Sequence, residues 1–304
     1  MTKSRRLGQF GLMVVAIIWG NGFVASALAL AYFNPFQVLA IRFTLAFVVL
    51  LLFNLKRLKT LTKSGILKSS ALGVVLYLAF MFQTIGLQHT TPSRNAFLTA
   101  VNVVIVPFLG LLIFRKKIPV KGLIGAIVSF LGIAFISLDT GLTRLNQGDV
   151  LTLICAVFFA LHIFFTDIFV KDDQAWAITL IQLGSAAGCS LVMLLFDNDP
   201  LPTLSQQSIW PVLYLGLIST LGAYFLQTYS QKYTTSSEAA VILSTEAFFG
   251  MLGSVLLLKE VVNFQMIIGA ILIFLGILIV ELKPKAKSFQ KVKRAYDEET
   301  KSNH

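Results

Sequence analysis

Ionisable side chains are rare in the apolar stretches of this sequence, and the few found there are the ones able to do chemistry. Glu246 sits near the middle of one such stretch, with Gly250 and Gly253 at i+4 and i+7 on its helical face. Arg42 is the one arginine within an apolar stretch, and His162 lies in another, with Phe159 at i−3 and Thr166 at i+4. A charged group in hydrocarbon is costly and persists by facing protein or a water-filled cavity, so each is a site candidate. Glu246 reads as a substrate or proton site, or as a structural carboxylate paired with Arg42. Arg42 reads as that partner, or as the group that binds an anionic part of a substrate. His162 reads as a hydrogen-bonded packing residue, or as a proton carrier through its titration range.

Polar side chains recur at helical spacing around these three. Thr220, Tyr224, Gln227 and Gln231 follow i, i+4, i+7 and i+11, a stripe too regular to face lipid. Asn95, Thr99 and Asn102 form a second stripe; Gln83 is the counterpart of Gln227 in the other half of the sequence, and Trp19 with Asn21 offers an aromatic wall and an amide. The expected substrate-binding set is therefore Trp19, Asn21, Gln83, Asn102, His162, Tyr224, Gln227 and Glu246, with Arg42, Glu246 and His162 as charge-pairing or proton-coupling groups. Phe80, Phe82, Phe164 and Phe165 read as lipid- or core-facing, and Asp167 as solvated near a helix end. The sequence has no His-Glu-x-x-His and no carboxylate pair on one buried face, so enzyme chemistry, a metal and a cofactor are not expected. It also lacks a Gly-rich phosphate loop, which leaves a solute gradient as the energy source.

The elements that must position these residues are membrane spans. Of 304 residues, 56% are hydrophobic and only 13% charged, against roughly a quarter charged in soluble domains. Mean hydropathy is +0.81. About 20 apolar residues cross a hydrocarbon core of about 30 Å as helix, and the segments 8–30, 34–54, 70–89, 92–114, 119–138, 148–170, 174–196, 209–230, 236–258 and 264–282 qualify. The net charge of +11 comes from basic residues that punctuate the apolar runs, which argues for membrane orientation and against nucleic acid. Apart from Arg42, Arg94, Arg144 and Lys259, every Lys and Arg falls on the side that holds the N-terminus. Both termini are thus expected in the cytoplasm, with the chain multi-pass in the cytoplasmic membrane. Lys3, Arg5 and Arg6 before Phe10–Ile18 imitate a signal peptide, yet this segment has a counterpart in the second half and reads as a retained span. Cys155 and Cys189 lie in apolar segments and read as reduced packing residues.

The two halves of the sequence align with each other. At one constant offset, Gln83-Thr84 falls on Gln227-Thr228, Ser93 on Ser237, Ala96 on Ala240, Asn102 on Glu246, and Phe130-Leu-Gly-Ile133 on Phe274-Leu-Gly-Ile277. A slightly shorter offset carries Gly8 to Gly148, Trp19 to Phe159 and Arg42 to Gln182. Five spans per half is an odd number, so the second copy enters the bilayer inverted. Inverted halves around an in-plane pseudo-twofold mark transporters, with the site near the midplane between them. The expected organisation is all-α, with ten transmembrane helices. Residues 1–140 form the first five-helix repeat, residues 148–283 the second, and residues 284–304 a charged cytoplasmic tail. A channel, or a membrane scaffold or sensor that moves no solute, is the alternative. The partners expected are a small-molecule substrate and the lipid bilayer, with the chain a monomer or homodimer; Gly184-Ser-Ala-Ala-Gly188 reads as close packing or a dimer contact.

Particular motifs point to a family. Trp19-Gly20-Asn21, Ile41-Arg42-Phe43, the run from Thr91-Pro-Ser through Asn95-Ala96 to Pro107, and Glu246, Leu258-Lys-Glu260 and Gly269-Ala270 with Gly276 resemble the EamA branch of the drug/metabolite transporter superfamily. The resemblance spans residues 8–282 and implies a ten-helix inverted-repeat fold and secondary transport or export of metabolites such as amino acids, amines, nucleobases or drugs. Two positions depart from the family pattern: Ala247 stands where many members have Pro, and Lys116 replaces an expected Glu.

Overall fold

A computed structural model of the chain describes residues 3–114, 145–197, 199–200 and 205–281, with isolated positions 120, 124–125, 127–128, 131–132 and 135. The described residues are helical and contain no strand. α1 (Lys3–Leu30), α2 (Pro35–Asn54, continued by a 3-10 turn, Leu55–Thr60) and α3 (Lys63–Leu87) are single rods. The next span is split into α4 (Pro92–Thr99) and α5 (Asn102–Phe114). α6 (Gln147–Asp172) and α7 (Ala175–Leu194) follow as rods. α8 (Gln206–Leu213) runs through a π-helical turn at Tyr214–Gly222 into α9 (Ala223–Gln231). The span after it is split into α10 (Ser236–Leu243) and α11 (Glu246–Leu258), and α12 (Phe264–Glu281) closes the described chain.

Eight of these spans are long and apolar enough to cross a membrane among the described residues, and α12 adds a shorter apolar stretch. They overlap the spans read from hydropathy, with α1 and α3 beginning several residues earlier, at Lys3 and Lys63. The fifth span expected at 119–138 and the tail at 284–304 fall outside the described residues, save for the isolated positions.

The helices start where local chemistry dictates. Pro35 and Pro92 occupy the first turns of α2 and α4, where a missing N–H costs nothing. Reciprocal capping boxes open α2 (Asn34 with Gln37), α6 (Asn146 with Asp149), α8 (Ser205 with Ser208) and α10 (Thr235 with Glu238). Lys259, at φ 55°, turns the chain left-handed and ends α11.

The distribution of side chains is that of a multi-pass membrane protein. Phe53, Leu112, Leu195 and Val261 are among the large apolar residues left exposed, an amount of apolar surface no soluble monomer tolerates. Arg42, Gln182, Thr220, Gln227 and Gln231 are buried instead. Packing runs mainly between the halves of the chain: α3 lies along α6 and α7, α1 along α9 and α11, α2 along α7, and α4 against α11. α1 and α11 approach closely, so that a Cβ on Gly20 would lie 2.5 Å from Phe249 Cβ and 2.8 Å from the Gly250 nitrogen. Gly184 packs against the ring of Phe47 on α2.

Candidate functional site

The two split spans meet in the interior. At Ala100–Val101 and again at Ser244–Thr245 the helix tightens: Val101 N donates to Leu98 O and Thr245 N to Ile242 O, both i−3 bonds, and a new helix begins one residue later. Ser244 Oγ and Thr245 Oγ1 donate to the carbonyls of Val241 and Ile242 at 2.7 and 2.6 Å. Side-chain bonding of this kind loosens the regular ladder, and it interrupts the span without the proline that Ala247 replaces. Asn102 and Glu246 are thereby the first residues of α5 and α11, and the N–H groups next in line, of Val103, Val104, Ala247 and Phe248, donate to the carbonyls of Ala100, Val101, Ser244 and Thr245. A half-helix N-terminus inside a membrane is a place where transporters bind substrate.

Between them lies a small cavity of about 30 Å³, room for roughly one or two water molecules. Trp19, Arg42, Gln83, Asn102, His162, Tyr224, Gln227 and Glu246 all line it, together with Phe80, Phe159 and Ser219. Its polar groups are under-used. Asn102 Oδ1, His162 Nδ1, Tyr224 Oη and Gln227 Oε1 are buried with no hydrogen-bond partner among the described residues. Glu246, 5% exposed, makes no hydrogen bond or ion pair with any described residue. Buried polar groups are ordinarily satisfied, so this many converging on one cavity make it the candidate site.

Other partners fix the walls. Trp19 Nε1 donates to the Ser219 carbonyl in the π-helical turn at 2.9 Å, and the Trp19 and Tyr224 rings lie 4.9 Å apart. Tyr224 also contacts His162 edge-on at 5.5 Å and Phe80 at 6.0 Å. His162 Nε2 donates to Gln182 Oε1 at 2.9 Å. Gln83 Nε2 donates to Thr99 Oγ1 at 3.2 Å, and Gln227 Nε2 to Gln231 Oε1 at 3.0 Å.

Three expectations from the sequence are corrected. Arg42 and Glu246 form no ion pair: Arg42 Nε donates to Thr220 Oγ1 at 2.9 Å and the guanidinium sits 4.0 Å from the Phe80 ring centroid, held by α3 and the π-helical turn. Asn21 does not line the cavity. Its Nδ2 donates to Ile17 O at 3.0 Å and its amide packs against Gly253, because residues two apart on a helix cannot share Trp19's face. Asp167 is buried, accepting from Ser236 N at 3.1 Å beside Lys171 at 3.1 Å. The sequence reading also missed Phe80, whose position matches Tyr224 at the repeat offset.

Comparison with known proteins decides the class. The profile of the EamA-like transporter family matches residues 6–138 and 146–282. The chain belongs to the EamA-like transporter family. This family is part of the drug/metabolite transporter superfamily. An uncharacterized transporter of Archaeoglobus fulgidus is 32% identical to this EamA-like transporter over 281 residues, 92% of this chain and 87% of that protein. An uncharacterized transporter of Acidianus ambivalens is 30% identical over 253 residues, 81% of this chain and 94% of the relative. A solved structure reported as "Crystal structure of protein" shares the fold, with a TM-score of 0.69 at 14% identity, covering 93% of this chain and 98% of its own. The EamA-like transporter is thus a multi-pass membrane protein whose cavity-lining residues are set in a transporter fold.

Proposed function

We propose that the chain is a secondary transporter that moves small polar metabolites, amino acids first among them, across the cytoplasmic membrane by alternating access. The observation that carries this is the pair Arg42 and Glu246: opposite charges, each unpaired with the other, lining one aromatic-walled cavity. A zwitterion supplies a carboxylate for the guanidinium and an ammonium for Glu246, and neutralises both buried charges at once. The aromatic rings of Trp19, Phe80, Phe159 and Tyr224 suit an apolar side chain or a cation.

Ten transmembrane helices in two inverted five-helix repeats are the architecture proposed, residues 1–140 and 148–283. The two matched stretches of the family profile support it, since they coincide with those halves. The cavity supports it too, because its lining includes repeat-related pairs: Trp19 with Phe159, Phe80 with Tyr224, Gln83 with Gln227, and Asn102 with Glu246. A cavity too small for any metabolite must open to load one, which fits a site that is closed between two access states. Proton coupling through Glu246 is part of the proposal.

The test is ligand-induced stabilisation of the purified, detergent-solubilised protein across amino acids, amines, carboxylates and nucleobases. A specific ligand raises the melting temperature by mass action. Zwitterionic amino acids should stabilise most, and in proteoliposomes the stabilising solute should show saturable flux and counterflow. Stabilisation by amines or carboxylates alone would refute the zwitterion reading, and non-saturating flux would make the protein a channel.

A further inference from the structure

A relay of amides runs from the backbone of α6 to the cavity wall. Gln231 Nε2 donates to the Ile163 carbonyl on α6 at 2.9 Å. Gln231 Oε1 in turn accepts from Gln227 Nε2 at 3.0 Å, one helical turn back on α9. Both side chains are fully buried, and Gln227 lines the cavity. The orientation of a glutamine amide is decided by its hydrogen-bond network. A backbone carbonyl can only accept, so Ile163 fixes which end of the Gln231 amide faces it. Gln231 must then offer its oxygen to Gln227, and Gln227 must answer with its nitrogen. The oxygen of Gln227 is left over: Oε1 is buried with no hydrogen-bond partner among the described residues.

The repeat-related glutamine is not fixed in this way. Gln83 also lines the cavity and also spends its nitrogen, donating to Thr99 Oγ1 at 3.2 Å. A hydroxyl both donates and accepts, so either orientation of the Gln83 amide can be satisfied there. The residue equivalent to Gln231 in the first half is Leu87, whose side chain offers no hydrogen bond. Gln227 is therefore the member of the pair whose acceptor is set in advance. An acceptor buried without a donor is costly, and an occupant that brings an N–H or O–H removes that cost.

We propose that Gln231 is a positioning residue for substrate recognition: it holds the Gln227 carbonyl ready for a donor, so the substrate's cationic group must bear N–H, which a quaternary ammonium lacks. The proposal rests on the zwitterion reading above. A primary ammonium carries three N–H donors, enough for Gln227 Oε1 and the Glu246 carboxyl group together. A trimethylammonium keeps the charge and suits the rings of Trp19, Phe80 and Tyr224 through cation–π attraction. It leaves the Gln227 oxygen unpaired all the same. A site built to hydrogen-bond its substrate rejects an analogue that cannot make the bond, because a buried polar group is then left without a partner. Gln231 acts through Gln227 and touches no substrate.

Equilibrium binding to the purified full-length protein tests this. The probes are glycine, alanine, leucine and phenylalanine, each beside its N-trimethylated counterpart. The parent should bind a primary form at least about tenfold more tightly than its trimethylated partner. Gln231→Met keeps the length of the side chain and frees the Gln227 amide to turn. It should lower that ratio at least about threefold, mostly by weakening the primary form, as expected for one lost hydrogen bond. Gln227→Met leaves the bond from Gln231 to Ile163 in place and should do the same. General loosening of the bundle would weaken both forms alike, so the ratio separates recognition from folding. Should one variant fail to fold, the other and the parent's own ratio still decide. A parent that binds the two forms equally or prefers the trimethylated one, or variants that keep the parent's ratio, overturns the role of Gln231 while the zwitterion reading stands. A parent that binds none of the probes overturns the zwitterion reading, and the role of Gln231 with it.

Discussion

Arg42 and Glu246 line the same cavity and do not touch. Arg42 is held by Thr220 and by the face of Phe80, and Glu246 begins α11 with no hydrogen bond or ion pair to a described residue. A structural ion pair would have made the two residues interdependent and the cavity inert. Their separation leaves a guanidinium and a carboxyl group both available to an occupant.

Glu246→Gln is therefore expected to lower transport by at least about tenfold, equivalent to about 1.4 kcal/mol of lost interaction. The melting temperature should hold or rise, because an uncompensated buried charge is removed. Adding Arg42→Gln should not restore transport. Recovery in the double variant would show that the two residues act as a pair after all.

Arg42→Lys keeps the charge and loses the planar fork that stacks on Phe80 while bonding Thr220. Uptake kinetics should show a KM raised roughly tenfold for a zwitterionic solute, with stability near the parent's. An unchanged KM would remove Arg42 from the recognition surface.

Trp19 and Asn21 should behave differently, although both were expected in the site. Trp19→Phe loses the bond to the Ser219 carbonyl and a wall of the cavity, and transport should fall several-fold, as expected for a bond worth about 1 kcal/mol. Asn21→Ala should leave KM unchanged. Equal losses in the two variants, measured at matched expression, would put Asn21 back in the cavity.

Gly20→Ala should destabilise the fold by about 1–3 kcal/mol through overpacking, since its methyl group would collide with Phe249 and Gly250. Thermal unfolding in detergent reads this directly. A melting temperature equal to the parent's would mean that α1 and α11 can separate at no cost.

Both chain termini are expected in the cytoplasm from the placement of Lys and Arg. Single cysteines at Thr2 and Ser302 should resist an impermeant thiol reagent in intact cells and react once the membrane is opened. Labelling of either in intact cells refutes this topology.

Hydropathy alone determined that the chain crosses a membrane many times, and the described spans fall where it put them, because a dry hydrocarbon layer leaves an apolar segment no form but the helix. Polar side chains within those segments could be trusted to face inward for the same reason, so Gln83, Asn102, Tyr224, Gln227 and Glu246 were legible as cavity candidates. The internal repeat by itself makes Asn102 and Glu246 equivalent positions. Tertiary packing decided the rest. Whether Arg42 meets Glu246 or Thr220 depends on how far each helix is rotated and shifted along its neighbours, which no single helix encodes. The break before Glu246 goes with backbone competition at Ser244 and Thr245, the one before Asn102 falls at Ala100 and Val101 with no such side chain, and a polar count along the chain is blind to both. Arg94 forms a two-point pair with Asp149 of the other half, at 2.7 and 2.6 Å, where the distribution of Lys and Arg only places it on the outer side; the docking of α4 on α6 buries it.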